Sequence, residues 1–213
     1  MKIIKFTAVT ILIMSFVIIT QAQTKYSFGA NIGSNSVFNM PSLIDFTNGT
    51  NRCANVTTPL TEAEIDEIIR IHNQVRAEVG TAPLKWNCDL AKFSQSWAVT
   101  DTFEHSTQQQ RDQIIKGGNA GENLAVDSSS TATMAALNKG WIDEKAFYTY
   151  ENNSCAAGKV CGHYTQMVWK ATNEIGCGVI RNSNSMGAEY KGQASYFVCT
   201  YYPGGNNDGE KPY

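Results

Sequence analysis

The chain carries few groups that titrate near neutral pH: three histidines, at positions 72, 105 and 163. His72 is in helical phase with Ile65, Ile68 and Val79, so it reads as a buried imidazole bonded to a neighbour. His105 and His163 lie in polar segments, where an imidazole serves as a metal ligand or an acid–base group. Two carboxylates belong beside them: Glu122, between Gly121 and Asn123, and Glu144, three residues after Trp141 on one helical face. Two imidazoles and two carboxylates make a four-ligand set acceptable to zinc. The gaps of 17, 22 and 19 residues hold no His-Glu-x-x-His signature, so spacing alone does not establish the cluster. Ser106 beside His105 invites a nucleophile–base pairing, but no Gly-x-Ser-x-Gly elbow accompanies it. Four protein ligands would also fill a tetrahedral zinc, whereas catalytic sites keep one position open. The balance favours binding over catalysis.

Positioning these residues falls to a helical first half and a strand-rich last third. Thr61-x-x-Glu64 is a capping box, followed at helical spacing by Ile65, Ile68, Ile69, His72, Val75 and Val79, with Gly80 ending the run. A second helix is expected from about Cys88 to Thr100. A third, from about Thr131 to Lys145, brings Met134, Leu137 and Trp141 together. Glu174–Ile180 and Ala194–Tyr202 read as strands joined by a long polar connection. Helices first and strands later predict an α+β domain, beginning at Pro59.

The N-terminus reads as a secretion signal, residues 1–22. Lys2 and Lys5 precede 14 apolar-core residues, Phe6 to Ile19, and Ala22 supplies a small residue for cleavage. That core spans about 21 Å as a helix, short of the roughly 30 Å hydrocarbon layer, so no stable membrane span is expected. Its removal leaves 15 basic and 19 acidic residues, a net charge of −4 with no basic surplus for nucleic acid. Of the 36 residues in 23–58, 18 are Asn, Ser, Thr or Gly, which reads as a tail or spacer. Six cysteines, none in the signal and none in a Cys-x-x-Cys pair, fit three disulfides in a secreted chain, their connectivity open. Asn48, Asn55 and Asn152 head glycosylation sequons. Together these features predict a secreted, extracellular protein.

Several segments, in order, resemble the CAP superfamily: cysteine-rich secretory proteins, antigen 5 and plant pathogenesis-related class 1 proteins. They are His72-Asn-x-x-Arg76, Pro83-Leu-x-Trp86, Gly121-Glu-Asn-Leu124 and Trp141-x-x-Glu144, then Cys155-x5-Cys161-Gly-His-Tyr-Thr-Gln-Met-Val-Trp169, Ile175-Gly-Cys-Gly178 and Cys199-Thr-Tyr-Tyr-Pro-Gly-Gly-Asn206. The likeness covers residues 61–213 and is strongest to the plant and fungal secreted branch.

The resemblance implies an α-β-α sandwich with a small antiparallel sheet between helical layers. It also implies a surface cleft of His105, Glu122, Glu144 and His163 able to take Zn2+ or another divalent cation. The disulfides it implies are Cys155–Cys161 and Cys177–Cys199, leaving Cys53–Cys88 to fasten the tail. Two further plant cysteines, partners of each other, are absent here. Family members bind sterols or fatty acids or act in defence, so a sterol, a fatty acid or an extracellular protein is the expected partner of a monomer. Ile65, Ile68, Ile69, Met134 and Trp141 are candidates for an apolar groove. A secreted peptidase is one alternative. The other is a precursor of a C-terminal signalling peptide, from the likeness of Pro203-x-Gly-Asn-x5-Pro-Tyr213 to a released plant peptide, with Thr200 departing from the usual junction.

Overall fold

The computed structural model describes residues 52–114 and 118–213. The expected signal 1–22, most of the 23–58 stretch and Asn48 lie outside the described residues. Helix α1, Glu62–Glu78, starts at the expected capping box, with Thr61 and Glu64 bonded reciprocally. Its inner face buries Ile65, Ile68, Ile71, His72 and Val75, and Gly80 leaves the helix at φ 76°. Strand β1, Lys85–Trp86, leads into α2, Cys88–Ala98, where the Asn87 side chain accepts from the N–H groups of Asp89 and Leu90. Helix α3, Gln108–Asp112, has its own capping box from Thr107 and Gln110. After β2, Gly121–Asp127, helix α4, Met134–Asp143, runs on into a 3-10 turn, Glu144–Phe147. A small hairpin, β3 (Tyr148–Thr149) and β4 (Ser154–Cys155), precedes α5, Gly162–Met167. Two long strands follow, β5 at Glu174–Ser183 and β6 at Ala194–Tyr202.

The main sheet has the order β1-β5-β6-β2. β5–β6 is antiparallel as expected, and β2, a strand the sequence did not mark, also pairs antiparallel with β6, whereas the short edge pair β1–β5 is parallel. Asn73 on α1 fixes that edge: its side chain accepts from the Leu84 N–H at 2.7 Å and donates to the Leu84 carbonyl at 3.2 Å. Side chains alternate across the sheet with period two. Ile175, Cys177, Val179, Phe197, Cys199 and Tyr201 face the core shared with α1, α4 and α5. Tyr196 and Val198 point the other way, beside Ala98 of α2. The helix α2 lies unusually close to β5, because a Cβ on Gly176 would sit 2.1 Å from the Ala91 nitrogen and one on Gly178 2.3 Å from Gln95. The Gly-Cys-Gly run is therefore a seat for α2, and the three layers make the expected α-β-α sandwich.

The disulfides are Cys53–Cys88, Cys155–Cys161 and Cys177–Cys199, the pairing that the resemblance implied. The last joins directly opposed residues of β5 and β6. Residues 52–58, the end of the spacer-like stretch, pack on the body: Cys53 and Val56 are buried, Arg52 pairs with Glu62 and Asp66, and Thr58 donates to Gln95. Arg76 is wholly buried, with no carboxylate partner among the described residues. Its guanidinium instead donates to the carbonyls of Ala82, Met167, Trp169 and Thr172, tying α1 to the exit of α5. Burial lowers its pKa to about 10, so it stays charged at neutral pH.

Candidate functional site

His105 lies in the loop between α2 and α3, its side chain 57% exposed, and its Nδ1 is 2.8 Å from Oε1 of Glu122. Glu122 on β2 has a side chain only 1% exposed. Ser106 supplies two more donors to that carboxylate, its N–H at 2.9 Å and its hydroxyl at 2.7 Å. Arg111 stands 3.6 Å behind. Arg111 is itself held by the Ala120 carbonyl, Ser106 and Gln108. The α3 capping box thus begins one residue after the site and sets the entry of Ser106.

Glu144 opens the 3-10 turn after α4, with its side chain 11% exposed. It accepts the backbone N–H groups of His163 and Tyr164 at 2.9 and 3.0 Å, and its other oxygen meets His163 Nδ1 at 2.5 Å. The carboxylate thereby satisfies orphan amides in the first turn of α5. The His163 ring, its side chain 29% exposed, stacks on Trp141, whose indole N–H donates to the Leu124 carbonyl.

A buried chain links this second pair to the sheet. Asn123 donates to the His163 carbonyl at 3.1 Å and to the Tyr201 hydroxyl at 3.2 Å. Tyr201 in turn meets His72 Nε2 at 2.8 Å, while His72 Nδ1 faces the Ile68 carbonyl at 2.9 Å. These roles make His72 a neutral imidazole with its proton on Nδ1. Burial, outweighing the bond to Ile68, brings its pKa down to about 4. His72 is a core histidine, as its helical phase suggested.

All four candidate residues belong to two histidine–carboxylate pairs. Each carboxylate faces an Nδ1, and the Nε2 atoms of His105 and His163 make no hydrogen bond among the described residues. Among the described residues, no group of three or more His, Cys, Asp or Glu is arranged to hold an ion. Nor does Ser106 form a triad, since its hydroxyl donates to Glu122 rather than to an imidazole. A polar cleft of about 250 Å³ takes in His105, Arg111, Glu122, Gln166, Gly204 and Asn206, but not His163 or Glu144.

A second cavity, of about 260 Å³, is aromatic. Lys145, Tyr148, Tyr150, Glu151, Tyr164 and Tyr213 line it. The Tyr164 hydroxyl is buried, and no group among the described residues meets it with full hydrogen-bond geometry; its polar neighbour is Tyr213. Burial, and then the adjoining Tyr213, push its pKa far above the ordinary phenol value. No periodicity in the sequence marked this cavity, whose walls come from three separate segments. Ser106, Arg111 and Asn123 were equally unmarked, although Thr107-x-x-Gln110 was a legible capping box next to the first two. The residues nominated for an apolar groove are elsewhere: Ile65, Ile68, Met134 and Trp141 are core, and Ile69 packs against that core.

The cysteine-rich secretory protein (CAP) family profile matches residues 69–201. Pathogenesis-related protein PRMS of Zea mays is 39% identical over 142 residues, 66% of this chain and 77% of that protein. Pathogenesis-related protein 1A of Nicotiana tabacum is 37% identical over 143 residues, 67% of this chain and 76% of its own length. Among solved structures, venom allergen-like protein 4 of Schistosoma mansoni superposes with a TM-score of 0.56 at 30% identity, covering 72% of this chain and 95% of that one. The chain belongs to the cysteine-rich secretory protein (CAP) family and resembles its plant pathogenesis-related members.

Proposed function

We propose that this is a secreted, extracellular defence protein that acts by binding, and that its ligand is a sterol or similar hydroxylated lipid. The carrying observation is the buried Tyr164 hydroxyl at the aromatic cavity, which has Tyr213 beside it and no described group in full hydrogen-bond geometry. A buried phenol without a well-placed partner is destabilising until a ligand oxygen meets it, and the tyrosine rings offer apolar faces beside the polar groups of Lys145 and Glu151. At about 260 Å³ the cavity admits the polar end of such a molecule and leaves its remainder outside. Asn55 and Asn152 are exposed, which suits glycosylation in an extracellular setting.

Native mass spectrometry of the secreted protein with added cholesterol or palmitate tests this reading. A stoichiometric cholesterol adduct, weakened about fivefold in Tyr164→Phe, is the expected result. A lipid-free spectrum, or equal adducts in both proteins, would overturn it.

A second reading, divalent-metal binding, is favoured by the two Nε2 atoms. Each imidazole is oriented at Nδ1 by a carboxylate, the arrangement that commonly prepares a histidine ligand. His105 and His163 would then be the ligands, with Glu122 and Glu144 fixing their rings, and bound zinc would supply a Lewis acid. Zinc titration calorimetry should show about one site, lost in the His105→Ala, His163→Ala double variant. Binding that survives the substitution removes the assignment. A peptidase reading gains nothing further here, because both carboxylates are already engaged by several donors.

A further inference from the structure

Segment 203–213 is held to the body at two places of different character. The inner clasp is residues 203–206. Thr172 donates to the Pro203 carbonyl at 2.7 Å, the Gly204 N–H reaches the Asn119 carbonyl at 2.6 Å, and the Gly205 N–H reaches Gln166 Oε1 at 2.8 Å. Asn206 exchanges bonds with the Gly162 carbonyl and the Thr165 hydroxyl. There is no slack: a Cβ on Gly204 would lie 2.7 Å from the Gly121 nitrogen, and one on Gly205 2.5 Å from the Trp169 ring.

The outer clasp is residues 210–213. Asn153 donates to the Glu210 carbonyl, and the Lys170 N–H donates to the Pro212 carbonyl at 2.6 Å. Lys211 lies 4.4 Å over the Tyr150 ring and donates to the Glu151 carbonyl. Tyr213 stacks on Tyr150 with centroids 4.6 Å apart, and the Tyr150 hydroxyl donates to the Tyr213 backbone oxygen. Except for Pro212, these groups are exposed or half-exposed.

Between the clasps, Asn207, Asp208 and Gly209 are exposed and make no hydrogen bond to the body among the described residues. Asn207 bonds only to Glu210, closing a small turn, and Gly209 takes φ 77°. A cavity of about 310 Å³, reaching Thr165 and Trp169, lies along this span. A segment with a tight inner hold, an unattached turn and a solvent-accessible outer hold loosens first at the outer hold.

We propose that residues 210–213 form a hinged lid on the aromatic cavity, turning about 207–209 while the inner clasp stays closed. Tyr213 is then a movable wall, and its departure widens the way to the Tyr164 hydroxyl. The lid serves the lipid site proposed above and rests on that reading for its purpose, though not for its motion.

Amide hydrogen exchange on the intact, ligand-free protein tests the motion. The Lys170 amide reports the outer clasp, and the Gly204 and Gly205 amides report the inner one. After correction for intrinsic rates, Lys170 should exchange at least tenfold faster. Tyr150→Phe, which keeps the stack but removes the bond to Tyr213, should speed Lys170 several-fold further and leave both glycines unchanged. One common rate, or a variant that moves all three amides together, overturns the lid. Solubilised cholesterol separates the two ideas. A cholesterol adduct that leaves the Lys170 rate unchanged overturns the lid. If no adduct forms while the ligand-free contrast persists, the lipid reading falls and the lid stands.

Discussion

Glu122 and Glu144 hold the same kind of atom, a histidine Nδ1, but are themselves held in opposite ways. Around Glu122 the donors come from one neighbouring residue and a nearby cation: the Ser106 N–H and hydroxyl, with Arg111 behind. Around Glu144 they are main-chain amides in the first turn of α5, and the imidazole is pressed against Trp141. The first pair is open, with His105 largely in solvent, while the second is recessed beneath the helix it caps. The first carboxylate therefore depends in part on side chains that substitution can retune. The second is held by main-chain amides that most substitutions leave in place.

That contrast is sharpest when the carboxylates are deleted. Glu122→Ala leaves Arg111 without its acid and Ser106 without its acceptor, and should lower unfolding free energy by about 3 kcal/mol. Glu144→Ala orphans two amides at a helix end that water partly reaches, for about 2 kcal/mol. Urea unfolding of both variants checks the order, and a reversed order would break the comparison.

His72 gives the contrast a third member, an imidazole bonded to no carboxylate among the described residues. Its folded pKa of about 4 lies below the ordinary 6.5, so the unfolded chain takes the proton first as pH falls. Stability should drop by about 2 kcal/mol between pH 7 and pH 5 from this group. His72→Gln should flatten that part of the profile; an equally steep profile in the variant would assign the slope elsewhere.

The smallest expected effect isolates side-chain support. Ser106→Ala removes one donor from Glu122 and should cost about 1 kcal/mol. Zinc affinity, where binding is found, should fall with it if Glu122 orients His105. Unchanged stability and unchanged affinity would mean that Arg111 and the Ser106 amide suffice.

The start of α1, the bounds of β6 and the core role of His72 were legible because each rests on local chemistry: a capping box, a β-rich run, a helical phase. Strand β2 was not, since Gly121-Glu-Asn-Leu124 has no clean alternation and becomes a strand only by pairing along β6. Helix α5 is six residues long, too short to show a period, and Arg76 and Glu144 secure its two ends from elsewhere in the chain. The four candidate residues could be named from their motifs, but not their division into two pairs. That division depends on which donors surround each carboxylate.

By itself the sequence determined the helical stripes, the long strands, an even cysteine count and the short list of chemically active side chains. Its family motifs added the disulfide pairing and the sandwich. Tertiary structure alone decided that Gly176 and Gly178 seat α2 and that each Glu serves one His. It also decided that Tyr164, Tyr148, Tyr150 and Tyr213 meet around a buried hydroxyl. The physical reason is range. Caps and periods act within a few residues, whereas these arrangements join separate segments from 14 to 85 positions apart, which approach only once the three layers have packed.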